Sequence, residues 1–304
     1  MKAASGAWAA LAALAGCTAT EAPPPPPPPV SAAPTVVRPQ EPVEPRQLVF
    51  QGAPTQGGLL LGQAPADTVS ITLDGAPVAF DANRRFVIGF GRDAAPFARV
   101  VATFRDGTSI AQTLNVEGRR YDIQSIPGLR RRPQQSADYE RLRRAERARI
   151  DGARAQRNDS DGWQQRWIWP VTGRISGVYG SQRILGGEPS DPHYGVDIAR
   201  PSGTPIVAPA DGVVVLAALP AFSLEGRLLI IDHGMGVNSA FLHLSRIDVT
   251  EGQTVRRGQG IGAIGTTGRS TGAHLHWGVN WGSVRIDPAL LAGPMTSAHV
   301  AHAR

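Results

Sequence analysis

His274-Leu275-His276 closes a glycine-punctuated stretch, Gly265-Thr266-Thr267-Gly268-Arg269-Ser270-Thr271-Gly272-Ala273, and constrains the fold more than any other feature of the chain. Imidazoles two residues apart share a face only on extended backbone, because side chains alternate along a strand. The triplet therefore calls for a strand with a histidine-bearing face and an opposite, apolar face for Leu275. Neutral imidazole is a common metal ligand, so this pair is half of a candidate metal site. The other half has to come from elsewhere in the chain.

Five of the seven histidines lie between residues 193 and 276, and His299 and His302 follow in the tail. His193-Tyr194-Gly195-Val196-Asp197 offers the missing donors. Fully extended, His193 and Asp197 would stand about 13 Å apart at Cα, too far for two ligands each about 2 Å from one ion. The segment must bend, and Gly195 is the place for it. Two histidines and one carboxylate form a catalytic zinc ligand set that leaves a position for water. Zinc lowers the pKa of that water to about 7 and makes a nucleophile at neutral pH. The spacing alone does not say whether His274 or His276 is the ligand. His243, in Phe241-Leu242-His243-Leu244-Ser245, is a candidate for moving protons. His233, after an apolar run and before Gly234, has the look of a further ligand.

Around this centre the pattern is mainly β. Residues 47–126 read as a small all-β, sandwich-like domain of short alternating runs, with Asp74-Gly75 and Asp106-Gly107 as hairpin turns. It carries no histidine, and a scaffold or spacer role is favoured. Residues 127–166 read as an arginine-rich helical linker, with Ser136 as N-cap and Asp138 and Glu140 in the first turn. The apolar stripe of that helix, Tyr139, Leu142 and Ile150, is thin, so a solvated connector is expected. Residues 167–293 form a second β-rich domain and 294–304 a disordered tail.

The amino terminus is of another kind. Lys2, a short apolar segment and Leu14-Ala15-Gly16-Cys17 make residues 1–16 a signal peptide, and the last four residues resemble the lipobox of bacterial lipoproteins. Residues 17–46 then form a lipidated cysteine and a proline-rich tether, extended at roughly 3 Å per residue. One cysteine excludes a disulfide framework. Net charge is +6, carried almost wholly by arginine, but without an aromatic-interleaved patch it does not point to nucleic acid.

His193-x-x-x-Asp197, His243-Leu244-Ser245 and His274-Leu275-His276 together resemble the motifs of the LytM/lysostaphin-like zinc metallopeptidases, family M23. Asp191 to Ala210, Ile231-Asp232-His233-Gly234, Glu251 to Gly265 and Val284 to Pro288 extend the likeness over about 120 residues. The resemblance implies a LytM-type antiparallel β-sheet catalytic domain with Zn2+ held by His193, Asp197 and His276. His243 and His274 are then the pair that activates water and stabilises the oxyanion, and His233 is structural. It further implies an endopeptidase acting on peptide cross-links of peptidoglycan, D,D bonds first, from a lipid-anchored periplasmic position. Thr18 after the cysteine leans toward the outer membrane, and a regulatory protein partner is an open possibility. The alternative is a non-catalytic member that activates cell-wall amidases, but such members lack ligands and this chain lacks none. A lipoyl or biotinyl carrier is excluded because Lys2 is the sole lysine. Two departures stand out: no tyrosine is clearly placed to hold the oxyanion, Tyr179 being distant and Tyr194 following His193, and Phe241 replaces a common tyrosine.

Overall fold

The computed structural model describes residues 46–127 and 136–295. The signal segment, Cys17, the proline tract and residues 296–304 lie outside them. Seven strands make the first half: β1 Val49–Gln51, β2 Leu59–Gln63, β3 Thr68–Leu73, β4 Ala76–Val78, β5 Arg85–Gly89, β6 Phe97–Phe104 and β7 Ser109–Asn115. β1-β2-β5 and β4-β3-β6-β7 are separate antiparallel sheets. Leu60, Phe86 and Ile88 of one sheet meet Ile71, Val100 and Phe104 of the other in a single buried cluster, so the pair is a sandwich. Asp74-Gly75 joins β3 to β4 with φ of 50° and 84°, the left-handed pair a two-residue hairpin requires.

The first half does not end where the sequence suggests. β8, Ile123–Ile126, leaves the sandwich and runs parallel to Gln182–Leu185 in the second half. The halves also pack directly. Gly89 lies against Trp281 and Ile286, Arg92 Nε donates to Gly180 O at 2.8 Å, and Arg119 pairs with Asp287 at 2.8 Å. The sandwich buttresses the second half and is more than a spacer.

Helix α1, Ala137–Ala155, is capped by Ser136, whose hydroxyl accepts from Tyr139 N. It is not the solvated connector expected. Ile150 and Ala153 are buried against Leu228, Ile230 and Ala240, and Arg143 and Glu146 are buried beside them. The stripe looks thin because ion pairs, not apolar side chains, complete the inward face.

The second half contains β9 Arg174–Gly177, β10 Gln182–Leu185, β11 Glu188–Pro189, β12 Val196–Ala199, β13 Pro205–Val207, β14 Gly212–Ala217, β15 Arg227–Asp232, β16 Val237–Leu244, β17 Arg246–Ile247, β18 Thr254–Val255, β19 Gly260–Ala263, β20 His274–Trp281 and β21 Val284–Ile286, followed by α2 Pro288–Ala292. An antiparallel sheet runs in the order β18-β14-β15-β16-β20-β12-β9, with β21 also on β20, and β13-β19-β17 form a smaller sheet. Leu229, Ile231, Phe241, Leu275 and Trp277 of the large sheet point into a core that Ile206 and Ile261 of the small sheet help to fill. α1 covers the opposite face of the large sheet at β14 and β15.

Candidate metal centre and active site

β20 alternates as its sequence requires. Leu275 and Trp277 are fully buried, whereas His274 and His276 stand half-buried on the other face. β12 pairs beside it so that Asp197 lies directly across from His276. The chain bends between His193 and Asp197, bringing His193 Nε2 to 3.1 Å from Asp197 Oδ1 and 3.0 Å from His276 Nδ1. His276 Nδ1 lies 2.9 Å from the same Asp197 oxygen.

These three residues can hold a metal ion, and the fit can be checked on geometry. Ligand atoms about 2.0–2.1 Å from a tetrahedral ion stand roughly 3.3 Å apart, close to the separations here. His193 Nδ1 is 3.1 Å from Val178 O. Its proton is thereby committed to a carbonyl, leaving the Nε2 lone pair for the ion. The donor set, two imidazoles and one carboxylate, suits zinc.

Electrostatics favour the charge states a metal needs at Asp197 and His276, though not at His193. Burial pushes the Asp197 carboxyl up, but hydrogen bonds from His193 and His276 outweigh it and hold the group well below the usual carboxylate range. Burial lowers His276, with Asp197 offsetting only part, so the imidazole tends to be neutral. His193 is also pushed down by burial, yet the hydrogen bond to Asp197 raises it overall.

Glycines make room for this cluster. A Cβ at Gly195 would stand 2.7 Å from His276 Nε2 and 2.7 Å from Trp277 O, and one at Gly177 would stand 2.4 Å from Asp197 Oδ2. Neither glycine has a left-handed φ, so what each supplies is space. Gly195 was legible as a bend; its closeness to the His276 ring was not.

The two remaining histidines flank the triad. His274 Nδ1 is 2.9 Å from Gly272 O, and its Nε2 is 3.8 Å from Asp197 Oδ1. His243 Nδ1 is 2.9 Å from Thr267 O, and the two rings are 5.0 Å apart. In both, a backbone carbonyl fixes the Nδ1 proton and leaves Nε2 free to act. Burial lowers the pKa of His243, which favours its neutral form.

His243 reaches this place against the strand pattern. Leu242 pairs with His276, so simple alternation would send His243 to the core side. Instead the register shifts between β15 and β16, and His243 adopts φ 63°. Such irregularities re-aim side chains beside active sites. Gly265 allows the glycine-rich loop to lie on this segment, since a Cβ there would stand 2.7 Å from His243 O.

Tyrosines are committed elsewhere. Tyr179 is buried and donates to Arg285 O at 2.9 Å, while Tyr194 faces the Arg285 guanidinium 5.8 Å from its ring centroid. Phe241 is fully buried in the core.

His233 is remote from the triad's hydrogen bonds. It is fully buried, 2.7 Å from Asp211 O through Nδ1 and 2.7 Å from Ser239 Oγ through Nε2. Burial pushes its pKa down from 6.5 to about 4. An unfolded chain therefore takes up this proton first, and stability present above pH 6.5 is lost as pH falls toward 4. The loss amounts to about 3 kcal/mol at about 1.4 kcal/mol per pK unit. The stability gap between the wild type and His233→Asn in urea melts should narrow by about that amount between pH 7 and 4; a constant gap would contradict a buried neutral imidazole.

With this geometry in view, residues 191–288 match Peptidase family M23. That match covers about a third of the chain and includes all five candidate site residues. Over 118 residues it is 40% identical to the peptidoglycan DD-endopeptidase ShyA of Vibrio cholerae, covering 39% of this chain and 24% of that protein. Over 102 residues it is 40% identical to the DD-carboxypeptidase/endopeptidase Mpg of Neisseria meningitidis, covering 34% and 23%. The chain thus spans about a quarter of the length of these curated relatives. A solved Pseudomonas aeruginosa structure assigned to peptidase M23 aligns with a TM-score of 0.61 at 28% identity, over 80% of this chain and 97% of that one. That likeness reaches well beyond the M23 segment, so the sandwich and helix share in it.

Proposed function

We propose that the protein is a zinc-dependent endopeptidase that hydrolyses peptide cross-links of bacterial peptidoglycan, D,D bonds foremost. The observation that carries this is the His193, Asp197 and His276 cluster, its donor atoms about 3 Å apart, facing His243 and His274 on an M23 domain. Relatives named as peptidoglycan DD-endopeptidases support the substrate class. His193, Asp197 and His276 would hold zinc, which would supply Lewis acidity and a nucleophilic water near neutral pH. His274, beside Asp197, accepts the proton of the attacking water at Nε2 and returns it to the leaving amine. His243, with Nδ1 on Thr267 O, donates from Nε2 in its protonated form to the negative charge that develops on the scissile carbonyl oxygen.

Cross-linked muropeptide dimers incubated with zinc-loaded protein should yield monomers by mass spectrometry, and His276→Ala should yield none. Intact dimers with the wild type would sink the reading and favour the amidase-activator alternative. Lipidation of Cys17, which lies outside the described residues, would anchor the enzyme to a membrane facing the periplasm, the outer one by its Thr18. The mass of the mature N-terminus tests that anchor: an unmodified Cys17 would remove it.

A further inference from the structure

The M23 match begins at residue 191, yet helix α1 reaches the candidate catalytic centre from outside it. Its route is a chain of short, buried contacts. Arg143 Nη1 and Nη2 donate to the two Glu225 carboxylate oxygens at 2.7 and 2.8 Å, and Nη1 also reaches Glu146 at 2.5 Å. Glu146 in turn accepts from Ser223 N at 2.6 Å and Ser223 Oγ at 2.7 Å. Side chains of Arg143, Glu146 and Glu225 are only 8%, 7% and 14% exposed. Two helix residues thus grip both ends of the loop 223–225.

That loop is what holds His243. The Glu225 carbonyl accepts from His243 N at 2.9 Å. The next residue, Gly226, packs on Thr267, where a Cβ would stand 2.4 Å from the Thr267 carbonyl oxygen. That carbonyl is the one 2.9 Å from His243 Nδ1. Arg227 N donates to Thr267 Oγ1 at 2.9 Å and Arg269 N to Leu224 O at 2.9 Å, stitching the two loops together. His243 sits at φ 63°, a conformation that persists in a non-glycine residue only when its surroundings enforce it.

We infer that helix α1 belongs to the catalytic centre: Arg143 and Glu146, through Glu225 and the loop around it, are positioning residues that hold His243 in its working orientation. This rests on the reading of His243 as a group that acts on substrate. The electrostatics agree, because burial costs of Arg143 and Glu146 are outweighed by Glu225 and Ser223, leaving both groups firmly charged. A bidentate arginine fork fixes its partner's orientation, which a lysine cannot do. Among the described residues, His193, Asp197 and His276 make no hydrogen bond to this network, so metal binding and His243 placement are separable.

Three variants, Arg143→Lys, Arg143→Ala and Glu225→Gln, test this beside Arg141→Gln. Arg141 lies on the same helix but is exposed, 2.8 Å from Asp138. Zinc content, steady-state hydrolysis of a muropeptide dimer and hydrogen exchange at the His243 amide are read on each. The three clamp variants should keep zinc, lose on the order of 10²-fold in kcat with KM changed less than about twofold, and exchange the His243 amide about tenfold faster. Arg141→Gln should match the wild type in all three. Clamp variants that fold with unchanged His243 exchange, or that keep full kcat, would overturn the inference; Arg143→Lys guards against a loss of folding in Arg143→Ala. If the wild type cleaves nothing while exchange still quickens, the positioning stands and the enzymatic reading falls.

Discussion

His276→Ala should lose bound zinc, whereas His274→Ala should keep zinc and lose turnover. Both residues stand on one face of β20, two positions apart, and strand geometry alone makes them equivalent. Their surroundings do not. His276 Nδ1 is within 3.0 Å of both His193 Nε2 and Asp197 Oδ1, inside the donor cluster. His274 uses Nδ1 on Gly272 O and presents Nε2 no closer than 3.8 Å to the Asp197 oxygen. Removal of a ligand should drop bound zinc to background by elemental analysis. Removal of a general acid or base should cost about 10²–10⁴-fold in kcat at unchanged zinc content. Equal zinc loss in both variants would make the histidines equivalent ligands after all.

Gly195→Ala is the second large effect, and it should act on the metal without replacing a ligand. Its added methyl would lie 2.7 Å from His276 Nε2 and 2.8 Å from Cε1, with Trp277 O at 2.7 Å behind it. The carbonyl belongs to a central strand and cannot retreat, so the imidazole must turn or the 193–197 bend must open. Overpacking of this kind costs about 1–3 kcal/mol, and displaced ligand orientation costs about 10–100-fold in metal affinity. Gly260→Ala, where a methyl meets nothing within 4 Å, should change neither. Competition with a chelator of known affinity reads the shift; equal affinity in the two variants would show that the ring has room.

Much of the centre was legible because its information is local. The His274-Leu275-His276 alternation specifies a strand with two faces, and β20 has them. The spacing of His193 and Asp197 forces a bend, and the bend exists, 3.1 Å from nitrogen to oxygen. Asp74-Gly75 names its own turn. Other features rest on partners far away in the chain. Ile123–Ile126 is short and half polar, and its pairing strand lies beyond α1. Arg143 and Glu146 read as solvent-facing charges because the groups that bury them lie 82 and 77 residues downstream. His243 is the instructive case. Its residue type suggested a role, while alternation with Leu242 pointed it into the core; a register shift and φ 63° reverse that, and neither leaves a mark on composition or period.

X-ray absorption at the zinc edge of the purified protein tests the central claim most directly. Two imidazole nitrogens and one carboxylate oxygen are expected at about 2.0–2.2 Å, with a further light-atom ligand in the remaining position. Four imidazoles in that shell would draw His243 and His274 into the coordination sphere and contradict the division of labour argued from their Nδ1 partners.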